Sequence, residues 1–225
     1  MKTAKRFAML AGLALALMAV LSFTGCSKKG EIAKVAPESD FEFKLSEDGT
    51  FIALTKYKGN AKNLVIPETI QGVPVEVIDG FCGNENIKSV VIPSSAKVIS
   101  SDAFSSCASL EKVTLPEGLL YIDDMAFFAT GLTSVTLPKS LEYLGSIAFG
   151  YCDNLAEINI PDDAAFLVKN ADKRAVAADE IFSGSKINES VALQKKLKEI
   201  KCVNCYNYEY YPKLQETIDK FGYWL

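Results

Sequence analysis

The chain has 225 residues, a formal net charge of −4 and no histidine. Without an imidazole, Ser-His-Asp and Cys-His nucleophile pairs are excluded, and only carboxylates and scattered cysteines remain as zinc ligands. A mildly acidic balance opposes nucleic acid, which needs a clustered basic face; no nucleic acid, no metal and no cofactor is expected.

The chain opens with three positive charges within Met1–Arg6, followed by an apolar run from Phe7 to Leu21. A basic start, a short hydrophobic core and small residues at its end form a secretory signal. The run falls short of the roughly 20 residues that a membrane span needs. It ends Leu21-Ser22-Phe23-Thr24-Gly25-Cys26 and continues into polar Ser27-Lys28-Lys29-Gly30. This resembles a bacterial lipoprotein signal, with Phe23 standing where leucine is usual. The resemblance implies that residues 1–25 are removed, that Cys26 is acylated, and that lipid holds the protein to a membrane of the cell envelope. An outer membrane or cell surface is expected rather than an inner membrane. Acyl chains contribute about 0.8 kcal/mol per buried CH₂, so several together anchor stably. The other reading is an ordinary cleaved signal that leaves Cys26 an incidental thiol. Loss of Lys2, Lys5 and Arg6 takes the net charge from −4 to −7. Residues 26–39 are polar and aperiodic and read as a flexible tether.

Phe41-Glu42-Phe43-Lys44-Leu45 alternates apolar and polar, Glu47-Asp48-Gly49 turns, and Phe51-Ile52-Ala53-Leu54 returns. That is a β-hairpin, expected to cover the open end of a repeat stack.

The repeats follow. Their prolines fall at Pro67, Pro93, Pro116, Pro138 and Pro161, with spacings of 26, 23, 22 and 23. Their phenylalanines are Phe81, Phe104, Phe127 and Phe149, with Phe182 a late fifth. A recurrence of this length signals stacked supersecondary units. Before each proline stand two apolar residues flanking a variable one: Leu64/Ile66, Val90/Ile92, Val113/Leu115, Val135/Leu137 and Ile158/Ile160. Period two with β-branched residues is a strand with one buried face. Proline, lacking an N–H, ends the pairing. Ile99, Ile122 and Leu144 mark a second inward position in the middle units.

A strand ending in Ile/Leu-Pro, then Ile, Ala-Phe, Cys and Leu resembles the BspA-like leucine-rich repeat family of bacterial surface proteins. The opening Ile66-Pro67-Glu68-Thr69-Ile70-Gln71-Gly72-Val73-Pro74-Val75 resembles that family's first unit. The expected fold is a β-rich repeat solenoid: about five 22–23-residue units, with an N-terminal β-hairpin cap and a helical C-terminal cap. The hairpin cap takes residues 40–62 and the repeats 63–187, together one domain of 40–187; residues 188–225 form the aromatic-rich helical cap.

Outward strand positions make a broad face, small, hydroxylated and nearly neutral. With rungs about 4.8 Å apart, five units span roughly 24 Å. Lys112, Thr114, Tyr121, Ser134, Thr136 and Tyr143 are the candidate contact residues, with Tyr121 and Tyr143 expected to stack. The family resemblance implies protein–protein or host-matrix binding, an adhesion-type module rather than an enzyme. The alternative is a structural envelope lipoprotein without a specific ligand.

Cys107 and Cys152 each stand three after a repeat phenylalanine, with Thr130 between them. Two rungs separate them by roughly 10 Å, beyond the reach of about 7 Å between bridged Cα atoms. They read as small buried apolar groups, and Cys82 as a free thiol. Cys202 and Cys205 form a C-x-x-C after a helical stretch marked by Leu193, Leu197 and Ile200. A local disulfide, two free thiols and a redox pair are all open there. Asp123-Asp124, Asp162-Asp163 and Asp179-Glu180 are expected to project from turns into water. Seven aromatics lie in the nineteen residues from Tyr206 to Trp224. They read as a second cap over the last rung, or as a sticky patch.

Overall fold

The structure is a computed structural model that describes residues 34–161, 167–168, 181–190, 192–193, 195 and 212–222. The N-terminal hairpin pairs β1 (Phe41–Leu45) with β2 (Ile52–Tyr57), and Leu45 faces Ile52 across a turn in which Gly49 is left-handed. The first unit supplies β3 (Asn63–Val65), β4 (Thr69–Ile70) and β5 (Val73–Ile78). Each later unit supplies two strands: β6 (Ser89–Val91) and β7 (Val98–Ile99), β8 (Lys112–Thr114) and β9 (Tyr121–Ile122), β10 (Ser134–Thr136) and β11 (Tyr143–Leu144), β12 (Glu157–Asn159) and β13 (Leu167–Val168).

Among the described residues the units form a solenoid of about five turns with three sides. The first side is a parallel sheet ordered β12-β10-β8-β6-β3. The second is a sheet ordered β1-β2-β5-β7-β9-β11-β13, with β4 on the outside of β5. The third is a stack of turns around the phenylalanines. Both sheets run parallel from rung to rung because every strand belongs to the same step of a repeated coil.

The inward residues match the expected columns. Leu64, Val90, Val113 and Val135 on the first sheet and Ile78, Ile99, Ile122 and Leu144 on the second are buried. Between the sheets and the turns runs a column of rings. Successive centroids are 4.7 Å apart for Phe81–Phe104, 5.3 Å for Phe104–Phe127, 5.2 Å for Phe127–Phe149 and 5.9 Å for Phe149–Phe182. Tyr57 of the hairpin extends the column, 5.5 Å from Phe81 and itself 5.3 Å from Phe41. The hairpin therefore continues the ring column, not only the sheet.

Backbone bonds lock the turns as a third ladder. The Phe104 N–H donates to the carbonyl of Ala126 at 2.8 Å, and the Phe127 N–H to that of Ala148 at 2.8 Å. Close approach is required at Gly145, where an added Cβ would lie 2.3 Å from the backbone of Asp123 and Asp124 one rung away.

Three features go beyond the sequence reading. First, the tether is anchored before residue 40. Val35 bridges Val65 in parallel, the Ala36 N–H donates to the Val65 carbonyl at 2.9 Å, and Ala36 is buried. Val65 is the free edge of the first sheet, and pairing it satisfies backbone groups that would otherwise stand open. Second, the fifth unit carries about ten more residues between Pro161 and Phe182 than the fourth does between Pro138 and Phe149, yet it keeps the rung, since β13 pairs with β11 in register, Leu167 opposite Tyr143. Nearly all the extra chain falls after that strand.

Third, the described helix of the tail packs against the second sheet, while Leu193, earlier in the tail, is buried in the main core with Ile181, Phe182 and Ile187. The helix α1 (Pro212–Phe221) sets Phe221 against Phe51 at 5.1 Å, and Lys220 pairs with Glu76 of β5. Phe221, Phe51, Ala53, Val77, Val98, Tyr121 and Tyr143 form one buried cluster, separate from the main core. The outward positions of the second sheet are apolar, and apolar area is driven out of water. Helix α1 joins the outer side of that sheet at its hairpin end. Leu197, Ile200 and the Tyr206–Tyr211 aromatics lie outside the described residues.

Candidate binding surface

The first sheet presents its outer side to solvent. Lys112, Thr114, Ser134, Thr136, Glu157 and Asn159 are exposed, and Asn63, Ser89, Val65 and Val91 continue the two rows toward the hairpin end. Ser89 donates to the Asn63 amide oxygen at 2.9 Å, tying one row across a rung. Thr114 and Thr136, and Lys112 and Ser134, occupy equal places on neighbouring strands, and Ser134 pairs with Lys112 across the ladder. The surface offers hydroxyls, one ammonium and one carboxylate on a flat, rigid grid. Flat grids suit contact with another macromolecule; a small molecule needs a concave pocket.

Tyr121 and Tyr143 are not part of this grid. They stack as expected, with centroids 4.0 Å apart and planes at 11°, but on the second sheet. They are only 7% and 2% exposed. Burial first, and the neighbouring Tyr121 second, push the Tyr143 phenol well above its ordinary value. The structure thus brings together four of the six candidate residues and removes the two tyrosines. A signal for this was present in sequence. Val77-Ile78, Val98-Ile99, Tyr121-Ile122 and Tyr143-Leu144 are apolar in both strand positions, which marks a strand buried on both faces.

The position three after each phenylalanine is a hydrogen-bonding column. Cys107 Sγ donates to the Phe81 carbonyl at 3.1 Å, and Ser185 Oγ to the Phe149 carbonyl at 2.6 Å. Thr130 Oγ1 donates to the Phe127 carbonyl at 3.0 Å and lies 3.2 Å from Cys152 Sγ. Both thiols are free and buried. Burial pushes Cys107 up to about 11, and it raises Cys152 as well. A thiol, not a thiolate, stands at each position at neutral pH, so neither is a nucleophile. Cys82 is free and exposed. Cys26, Cys202 and Cys205 lie outside the described residues.

The carboxylates near the turns serve the backbone. Asp123 is buried, contrary to the expectation that it projects into water, because its Oδ1 accepts the Asp124 N–H at 2.8 Å. Asp124 in turn accepts the Ser146 N–H of the next rung at 2.9 Å. Glu68 accepts the Ser94 and Ser95 N–H groups at 2.9 and 3.0 Å. Burial raises the Glu68 acid, but these bonds outweigh it and leave the group below its ordinary value. Asp162-Asp163 and Asp179-Glu180 lie outside the described residues. Among the described residues no three Cys, Asp or Glu side chains gather as metal ligands.

The sequence matches the family model described as BspA type leucine rich repeat region, in six copies over residues 76–211. The match runs past residue 187, where the sequence reading ends the repeats. Among solved structures the chain is similar to the T. pallidum leucine rich repeat protein, at 22% identity, covering 76% of this chain and 98% of that one, with a TM-score of 0.47. It is similar to a leucine-rich repeat protein from Bacteroides capillosus at 31% identity, over 45% of this chain and 80% of that one, with a TM-score of 0.42. It also resembles the pneumococcal vaccine antigen PcpA at 22% identity, over 63% of this chain and 42% of that one, with a TM-score of 0.49. No curated protein matches the chain. The recurrent proline and phenylalanine columns, the solenoid they build and a family match over more than half the sequence agree: this chain belongs to the BspA-type leucine rich repeat family.

Proposed function

We propose that the protein is a lipid-anchored cell-envelope lipoprotein that presents its first sheet as a contact surface for a protein or extracellular-matrix ligand. One observation carries this reading. Of the two strand-built faces, the second has its outer residues buried in one cluster with Phe221 of α1, whereas the described residues leave the centre of the first open at Lys112, Thr114, Ser134 and Thr136. The acyl group implied at Cys26 would hold this surface at a membrane, and the acidic mature chain would not lie flat on anionic lipid.

The test uses the full chain displayed on cells and a panel of purified extracellular-matrix proteins immobilised on a sensor surface. Lys112→Glu combined with Thr136→Lys leaves the buried columns untouched and reverses the charge pattern of the grid. Retention on at least one panel member should fall about tenfold, the effect of losing about 1.4 kcal/mol at a contact centre. Equal retention by both chains contradicts the sheet face as the contact. A chain wholly protected from added protease on intact cells would favour the structural envelope reading.

A further inference from the structure

The third side of the solenoid carries a different kind of surface. Met125, Ile147 and Tyr151 hold left-handed backbone, at φ of 54°, 53° and 55°. Glycine adopts that region freely, while a side chain makes it costly, most of all a β-branched one. The first and fifth units place Gly83 and Gly184, both left-handed, where the fourth has Tyr151. Units three and four thus keep large apolar side chains where the turn favours none. These side chains are not drawn into the core. Tyr151 is 54% and Met125 37% exposed. The Tyr151 ring leans on Phe128 at 5.2 Å and lies across Gly184, where an added Cβ would come within 2.9 Å of it. Beside it a cavity of about 410 Å³ is lined by Asp153, Gly184, Ser185, Lys186 and Glu189. The left-handed turn recurs at Asp102, Ser106 and Ala129, so what sets units three and four apart is the exposed apolar side chain and not the backbone.

Charge defines the setting. Residues 79–87, 100–110, 123–132 and 145–155 contain no lysine or arginine. Asp79, Glu85, Asp102, Asp124 and Asp153 stand there at least partly exposed. Asp102 occupies the same turn position as Met125 and Ile147, one rung earlier, so the acidic and apolar parts are continuous.

We propose that the turn side of units three and four is a second docking surface, distinct from the first sheet, for a basic polypeptide segment with an apolar anchor. The anchor would pack on Met125, Phe128 and Tyr151, and its flanking lysines or arginines would face the carboxylates. An apolar centre in a charged rim is the anatomy of a specific protein contact, and opposite charge steers the encounter. A second copy of this chain is disfavoured, because it would bring the same carboxylates against themselves. Nucleic acid and anionic lipid are repelled for the same reason.

The experiment measures fluorescence anisotropy of a labelled synthetic peptide of alternating lysine with leucine and phenylalanine against the full mature chain. The control is the same peptide with glutamate for lysine. The lysine peptide should bind at least tenfold more tightly, and the preference should shrink as salt screens it. Met125→Asn with Tyr151→Asn should weaken binding about tenfold. The same pair should leave Tm unchanged or higher, because asparagine accepts left-handed backbone. Asp102→Asn with Asp153→Asn should flatten the salt dependence. Lys112→Glu with Thr136→Lys should leave peptide binding unaltered, which separates this surface from the sheet face. Equal binding of both peptides, no binding of either, or full binding by the Met125→Asn/Tyr151→Asn chain overturns the proposal.

Discussion

Replacing Phe127 by alanine should lower the unfolding free energy by about 3–5 kcal/mol, the range for truncating a buried aromatic ring. Phe127 is fully buried at the middle of the ring column, its plane within 1° of its neighbours on both sides. A repeat touches only the units above and below it, so no other part of the chain can collapse into the space. The backbone bonds from Phe104 to Ala126 and from Phe127 to Ala148 fix the rung spacing and hold the cavity open. Phe127→Leu keeps most of the volume and should cost less than half as much. Urea denaturation followed by circular dichroism measures both; a loss under about 1 kcal/mol for alanine would mean that the rings do not carry the stack.

The second large effect is expected at Phe221. It is 2% exposed, packs on Phe51, and shares the Lys220 ammonium, which stands 5.3 Å from the Phe51 ring centroid and 4.8 Å from its own. Phe221→Ala should cost about 3 kcal/mol and loosen α1. The place of the damage matters more than its size. Hydrogen exchange should rise along β2, β5 and β7, the strands beneath the helix, with little change around Phe182–Ile187. An exchange increase confined to residues 181–190 would instead place the tail over the last rung, as the sequence alone suggests.

The columns are legible in the sequence because each is written in local spacing. Proline ends a strand at the same step of every unit, and the strand residue facing inward is aliphatic each time, so spacing alone assigns Leu64, Val90, Val113 and Val135 to the core. The covered face is only partly legible: Val98-Ile99, Tyr121-Ile122 and Tyr143-Leu144 are apolar at both strand positions, but no spacing says what packs on them. Phe221, which shares the buried cluster of Tyr121 and Tyr143, lies in sequence far beyond any period of the repeat. The stacking of the tyrosines follows from register; their sharing a cluster with Phe221 is a long-range feature. Tyr57 joins the ring column from a hairpin that lacks the repeat motif, and no spacing points to it. Asp123 reads as a turn carboxylate, yet its bond to the Asp124 N–H turns it inward. The left-handed backbone at Met125, Ile147 and Tyr151 is half legible. Gly83 and Gly184 stand in the Tyr151 column and advertise what the turn requires there.

The solenoid leaves one strand face open and buries the outer residues of the other with Phe221 of its own C-terminal helix. Hydroxyl-radical footprinting of the intact chain, read residue by residue in a mass spectrometer, tests this directly. Tyr151 and Met125 should oxidise rapidly, while Tyr121 and Tyr143 stay protected until the chain unfolds or α1 is cut away. Native Tyr121 and Tyr143 oxidised as fast as Tyr151 would contradict the buried outer side of the second sheet, and with it the assignment of the first sheet as the face left for a partner.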